Sequence, residues 1–157
     1  MGKEKSVRDH LVELLDSGHA HLRFDDAVQD FPPELRGKRP VGGPHSAWEL
    51  LEHLRIAQWD ILEFTRNPKH VSPKWPEGYW PSSEAPPHEK AWDESVAAFH
   101  ADLHAMMDIA ADESIALTAR IPHGEGQTVL REILLTADHN AYHLGQLVAV
   151  RRQLLGA

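Results

Sequence analysis

The sequence predicts an all-α protein, a four-helix bundle that forms one domain over residues 1–157. Apolar residues recur at helical spacing in four long segments, and alternating strand patterns are nearly absent. Proline, glycine and asparagine separate these segments, as expected for turns and helix ends. A chain of 157 residues can bury one substantial core, and four helices of this size favour a bundle.

The first predicted helix covers residues 4–17 and ends at Gly18. Its apolar face consists of Val7, Leu11, Leu14 and Leu15. A short second helical piece is predicted over residues 19–31, where Pro32-Pro33 stops it. The stretch 32–44 is rich in proline and glycine and is therefore predicted to be a loop.

The second long helix is predicted from Ser46, which forms a capping box with Glu49, to Asn67, which precedes a proline. A long loop rich in proline and tryptophan follows over residues 68–87, between the second and third long helices. Ordered loops of this length in small domains are often functional. We interpret it as a lid or rim around the open end of the bundle. Its aromatic residues would close over an apolar substrate; they are Trp75, Tyr79 and Trp80.

The third long helix is predicted over residues 89–111, on the basis of apolar residues at helical spacing. A connection that contains proline and two glycines follows it. The fourth helix is predicted over residues 128–155, ending at Gly156. This last helix carries the residues most informative about function.

Composition excludes several functional classes. A formal charge of −8 argues against nucleic acid as a partner, since phosphate binding needs clustered lysine and arginine. The absence of cysteine excludes disulfides, thiolate metal sites and a cysteine nucleophile. The charged start of the chain lacks a secretory apolar region, and no run has the length of a membrane span. We therefore expect a cytoplasmic protein without membrane association.

The pair His139 and His143 points to metal chemistry. Residues at i and i+4 lie one above the other on a helix, so both imidazoles can bind one ion. Two ligands are too few for a stable site, and His53 in the second long helix is the best candidate for the third. Three histidines with an open position would form a catalytic type of metal site.

Spacing alone leaves alternatives open. His100 and His104 form another pair at i and i+4, on the third long helix. His19 and His21 are placed either to approach the site or to cap a helix end. The other histidines are predicted to lie on the surface or in loops; they are His10, His45, His70, His88 and His123. Neither the zincin pattern nor the Glu-x-x-His pattern of di-iron bundles occurs.

Two segments resemble the DinB-like proteins, small bacterial four-helix bundles named after a DNA-damage-inducible gene product. Residues 45–54 read HSAWELLEHL and are followed by Trp59-Asp60, which is similar to the second helix of that family. Residues 137–146 read ADHNAYHLGQ and, with Arg151-Arg152, are similar to its last helix. The resemblance covers nearly the whole chain.

The resemblance implies a bundle of unusual helix order that holds one divalent metal ion. The implied ligands are His53, His139 and His143. Three imidazoles accept Zn, Ni, Fe or Co. Characterised relatives include transferases and isomerases that use bacillithiol, mycothiol or glutathione, in which the metal is thought to activate the thiol. Many family members are homodimers, and we expect the same here.

Two functional hypotheses follow. The first is a metal-dependent enzyme, most simply a thiol-dependent S-transferase or isomerase acting on a small-molecule substrate with a low-molecular-weight thiol as cofactor. The candidate catalytic residues near the metal are Asp60, Tyr142, Gln146 and His21. The second hypothesis is a bundle that binds a metal or small molecule without turnover, in a stress-related role.

Overall fold

The computed structural model describes residues 2–16 and 20–156. Within these residues the chain forms five α-helices, which are α1 (Lys3–Asp16), α2 (Phe24–Val28), α3 (Ala47–Arg66), α4 (Ala91–Ala111) and α5 (Val129–Leu155). Single-turn 3₁₀ helices lie at Pro33–Leu35 and Glu77–Tyr79. The described residues contain no β-strand, only an isolated bridge between Arg120 and Thr128. The predicted all-α fold is confirmed.

Local capping sets the ends of α3 and α5. The Ser46 hydroxyl accepts a hydrogen bond from the backbone N–H of Glu49, and the Glu49 carboxylate accepts one from the N–H of Ser46 at 2.7 Å. The extended backbone of Asn67 ends α3 before Pro68. Thr128 caps the start of α5, and Gly156 ends it at φ +70°, a left-handed conformation that glycine adopts without strain.

The second predicted helical piece is shorter than expected. The prediction covered residues 19–31, but α2 spans Phe24–Val28 only. Arg23 and Gln29 have extended backbones on either side of it, and Asp30 lies at φ +51°. The prolines that follow also disfavour helical geometry at the preceding residue. Gly18 and His19, which figured in the sequence predictions, lie outside the described residues.

The long helices pack in the cyclic order α1–α4–α3–α5. The first two long helices, α1 and α3, therefore face each other across the core instead of lying side by side. Helix α3 packs against both α4 and α5, so it lies between the two C-terminal helices. The largest fully buried apolar side chains are Phe31, Leu50, Leu51, Leu54, Leu62, Trp92, Phe99, Met106, Ile133 and Leu147.

A long loop and a set of side-chain hydrogen bonds connect α3 to the neighbouring helices. The segment 67–90 connects α3 to α4 and includes the 3₁₀ turn at Glu77–Tyr79. The buried amide of Gln58 also links three helices, since it donates to the Phe99 carbonyl of α4 and accepts from Asn140 of α5, each at 2.7 Å. No helix among the described residues combines the length and apolar character needed to cross a membrane.

Candidate metal centre

Packing of α3 against α5 brings three histidines together. His53 projects from α3, and His139 and His143 project from successive turns of α5. The Nε2 atom of His53 lies 3.0 Å from that of His143 and 3.1 Å from that of His139. One ligand atom from each residue lies within 4.8 Å of the other two. The structure thus places all three predicted ligands in one cluster.

Hydrogen bonds at the far side of two rings fix their tautomers. His53 Nδ1 lies 2.8 Å from the backbone carbonyl oxygen of Tyr79, and His143 Nδ1 lies 2.7 Å from the side-chain oxygen of Gln146. Both oxygens only accept, so each Nδ1 carries the proton and donates it. The Nε2 atoms of these two neutral rings therefore present lone pairs to each other.

The residues fit a bound metal ion. The lone pairs of His53 and His143 face each other at 3.0 Å, and a proton on His139 Nε2 can satisfy only one of these two acceptors. His139 Nδ1 is itself buried without a partner. Nitrogens that bind one tetrahedral Zn²⁺ at about 2.0–2.1 Å lie roughly 3.3 Å apart, close to the spacing found here. A cation bound by the three Nε2 atoms would satisfy the lone pairs of all three rings.

Burial keeps these imidazoles in the form that binds metals. It lowers the pKa of His53 to about 4, with a smaller lowering by the neighbouring His143. Burial, and then the positive charges that His143 and His53 would carry, lower the pKa of His139 to about 3. The pKa of His143 is also lowered by burial, partly offset by its bond to Gln146. All three rings are thus neutral at neutral pH, as ligation requires.

The loop between α3 and α4 covers the α3 side of the cluster. The Trp80 ring stacks on His53 with centroids 4.0 Å apart and planes 4° from parallel. His45 also stacks on Trp80, with centroids 4.1 Å apart. His53 is only 3% exposed, whereas His139 and His143 are half-buried. The cluster is therefore covered more completely on its α3 side than on its α5 side.

Asp60 contacts this loop and not the histidines of the cluster. One carboxylate oxygen lies 2.7 Å from His70 Nε2, and the other accepts the Tyr79 hydroxyl at 2.6 Å. Burial, and then the bond to Asp60, raise the pKa of Tyr79 to about 12, so the phenol remains a donor. Among the described residues, no carboxylate hydrogen-bonds to the three clustered histidines.

The other candidate residues lie at different distances from the cluster. Gln146 contacts it directly through His143. Tyr142 is 66% exposed and lies edge-on to the His143 ring, with centroids 4.8 Å apart. His21 is exposed and lines a different cavity, together with His100. The structure therefore brings Gln146 and Tyr142 to the cluster, links Asp60 to it through Tyr79, and leaves His21 apart.

The alternative pair on α4 has no third ligand. The rings of His100 and His104 stand 6.3 Å apart, and His100 Nε2 pairs with Asp25 at 2.7 Å. In the part of the chain that the structure describes, the cluster of His53, His139 and His143 is the one group of three or more potential ligands. The structure thus favours that cluster over the α4 pair.

Sequence reasoning missed the groups that orient His53. His70 was predicted on the surface or in a loop, and it does lie in the loop, but its side chain is only 6% exposed and pairs with Asp60, which was not predicted. The hydrogen bond from His53 goes to a backbone carbonyl, which no residue type reveals. The available signal was the aromatic loop that directly follows the helix of His53.

Comparison with known proteins supports the family resemblance seen in the sequence. A family model described as the DinB superfamily matches residues 7–147, which include all three clustered histidines and the intervening loop. No curated protein and no solved structure matches the chain.

Proposed function

We propose that this chain, which belongs to the DinB superfamily, is a thiol-dependent transferase or isomerase that works with one divalent metal ion. His53, His139 and His143 would hold the ion. The observation that carries the proposal is the pair of facing Nε2 lone pairs of His53 and His143, 3.0 Å apart. Two fixed acceptors at that distance repel each other unless a cation or proton lies between them.

Three histidine ligands leave a coordination position open, which is typical of catalytic sites. A divalent ion held by these residues would supply a Lewis acid that lowers the pKa of a bound thiol or water. Neighbouring groups of the protein orient the histidine rings for metal binding. The Tyr79 carbonyl and the Gln146 amide keep His53 and His143 in the tautomer whose Nε2 is free.

The absence of a nearby carboxylate favours a thiol over water as the nucleophile. Within the described residues no Asp or Glu hydrogen-bonds to the cluster, and Asp60 is already paired with Tyr79 and His70. A general base beside the attacking water would assist hydrolysis. A thiol would need no such base, because a bound divalent ion would by itself favour the deprotonated thiol. The exposed phenol of Tyr142, beside His143, is available to hydrogen-bond to a substrate.

The test begins with elemental analysis of protein purified without an affinity tag. Protein loaded with Zn, Ni, Fe or Co is then incubated with glutathione, bacillithiol or mycothiol and an electrophile. We expect thiol consumption above that of the metal-free protein. His139→Ala should lose both metal and turnover, whereas His100→Ala, which alters the histidine pair on α4, should keep both.

Two results would change the proposal. Stoichiometric metal without consumption of any thiol would favour the non-catalytic alternative, a bundle that sequesters a metal or small molecule. The lack of a carboxylate at the cluster is consistent with that alternative as well. Absence of stoichiometric metal after loading would refute both functions.

A further inference from the structure

We infer that Asp60 is a positioning residue for the metal centre, acting on His53 through the loop between α3 and α4. The inference rests on the proposed metal binding by His53. The Asp60 carboxylate holds His70 and Tyr79, so that the Tyr79 carbonyl and the Trp80 ring meet His53 in one fixed arrangement.

Asp60 cannot act on His53 directly. The two residues are seven positions apart on α3, which separates them by roughly 10 Å along the helix axis. The loop bridges that distance, because Tyr79 contacts both positions. Its hydroxyl donates to Asp60 at 2.6 Å, while its backbone carbonyl accepts from His53 Nδ1 at 2.8 Å. Tyr79 thus lies along α3 as a link between the two side chains.

The Asp60 contacts fix the loop at two points. His70 and Tyr79 each contact a different oxygen of the same carboxylate, so both ends of the segment 70–79 are held at one place on α3. Asp60 is only 8% exposed, and a buried carboxylate needs such donors to offset its lost hydration. The segment therefore has one strongly preferred position, and Trp80 follows it directly.

Without this anchor, His53 would lose its orientation. The Tyr79 carbonyl selects the ring form with the proton on Nδ1, and the parallel Trp80 ring holds the imidazole plane. A loop released from Asp60 removes both constraints, so a share of His53 would carry its proton on Nε2. Metal binding would then have to shift that proton first. Loss of such outer contacts typically weakens metal affinity about 10–100-fold.

Two variants test the inference. Tyr79→Phe removes the hydroxyl that bonds to Asp60 and keeps the backbone carbonyl, while Asp60→Ala removes both anchors. Asp25→Ala is the matched control, because it breaks a histidine–carboxylate pair of the same length, 2.7 Å, at His100. The readouts are the Zn²⁺ dissociation constant from chelator competition and the His53 tautomer in metal-free protein from ¹H–¹⁵N NMR.

We expect both test variants to bind Zn²⁺ about 10–100-fold more weakly and to show a mixture of His53 tautomers. Asp25→Ala should match the wild type in both readouts. The inference is overturned if Tyr79→Phe keeps wild-type affinity and tautomer, or if affinity falls with no change in tautomer. If Asp60→Ala does not fold, Tyr79→Phe decides alone.

The tautomer measurement also separates this inference from the proposed function. It is made without metal, so it tests the anchor even if the wild-type protein binds no Zn²⁺. Failure of wild-type binding would refute the proposed function, whereas an unchanged tautomer in Tyr79→Phe would refute the positioning role of Asp60.

Discussion

The metal-free protein should lose stability in acid because His53 is buried as a neutral ring. Burial lowers its pKa to about 4, while a histidine in the unfolded chain titrates near about 6.5. Between these values the unfolded chain binds a proton that the folded chain does not. The contribution of His53 to the free energy of unfolding is therefore fully present above about pH 6.5 and is lost as the pH drops toward about 4.

The size of this effect follows from the pKa difference. Each pH unit between the two pKa values changes the free energy of unfolding by about 1.4 kcal/mol. From about pH 6.5 to about pH 5, His53 should thus account for a loss of roughly 2 kcal/mol. His139, whose pKa is lowered to about 3 by burial, acts in the same direction.

The assay is urea unfolding of chelator-treated protein, followed by circular dichroism between about pH 7.5 and about pH 5. His53→Gln is the comparison, because its amide does not titrate while the surface carboxylates stay the same. The stability of the wild type relative to His53→Gln should fall by roughly 2 kcal/mol over this range. Parallel pH curves for the two proteins would refute the argument that His53 is buried in neutral form.

Further predictions concern the ligands, their support and the loop packing. His139→Ala should contain no stoichiometric metal by elemental analysis, and full occupancy would show that the ligand set is wrong. Gln146→Leu should bind Zn²⁺ about 10–100-fold more weakly in chelator competition. Gln146→Glu, whose side chain still accepts a hydrogen bond from His143, should stay near the wild type. Equal Zn²⁺ affinities for the two variants would exclude a role for the bond between His143 and Gln146. Gly37→Ala would place its Cβ 2.4 Å from that of Ala85, so it should lower the free energy of unfolding by about 1–3 kcal/mol in urea titration. Gly145→Ala is its control, since nothing lies within 4 Å of the added Cβ; similar losses in both would contradict the steric argument.

The long helices were predictable because their signals are local. Ser46 and Glu49 cap each other within one turn, and Gly156 ends α5 through its own backbone conformation. The piece around α2 was predicted too long, because Asp30 and the extended residues on either side override its weak helical preference. The start of α3 and the end of α5 were thus predicted more accurately than the ends of α2.

The candidate metal centre was predictable only in part. The spacing of His139 and His143 indicates two ligands, but spacing applies equally to His100 and His104. Choosing between the pairs required the family resemblance, and their different surroundings became visible only in three dimensions. The Tyr79 carbonyl could not be predicted at all, because every residue carries one and only the path of the loop brings this one to His53.

The wide sequence separation of the clustered histidines sets the order of events during biosynthesis. His53 lies 86 residues before His139 and 90 before His143. A nascent chain that ends before α5 has a single histidine of the set, and α5 alone supplies two. The complete set exists only after the ribosome has added residue 143 and α5 has docked on α3. The proposed metal ion can therefore find its full ligand set only after α5 has been synthesised and has docked on α3.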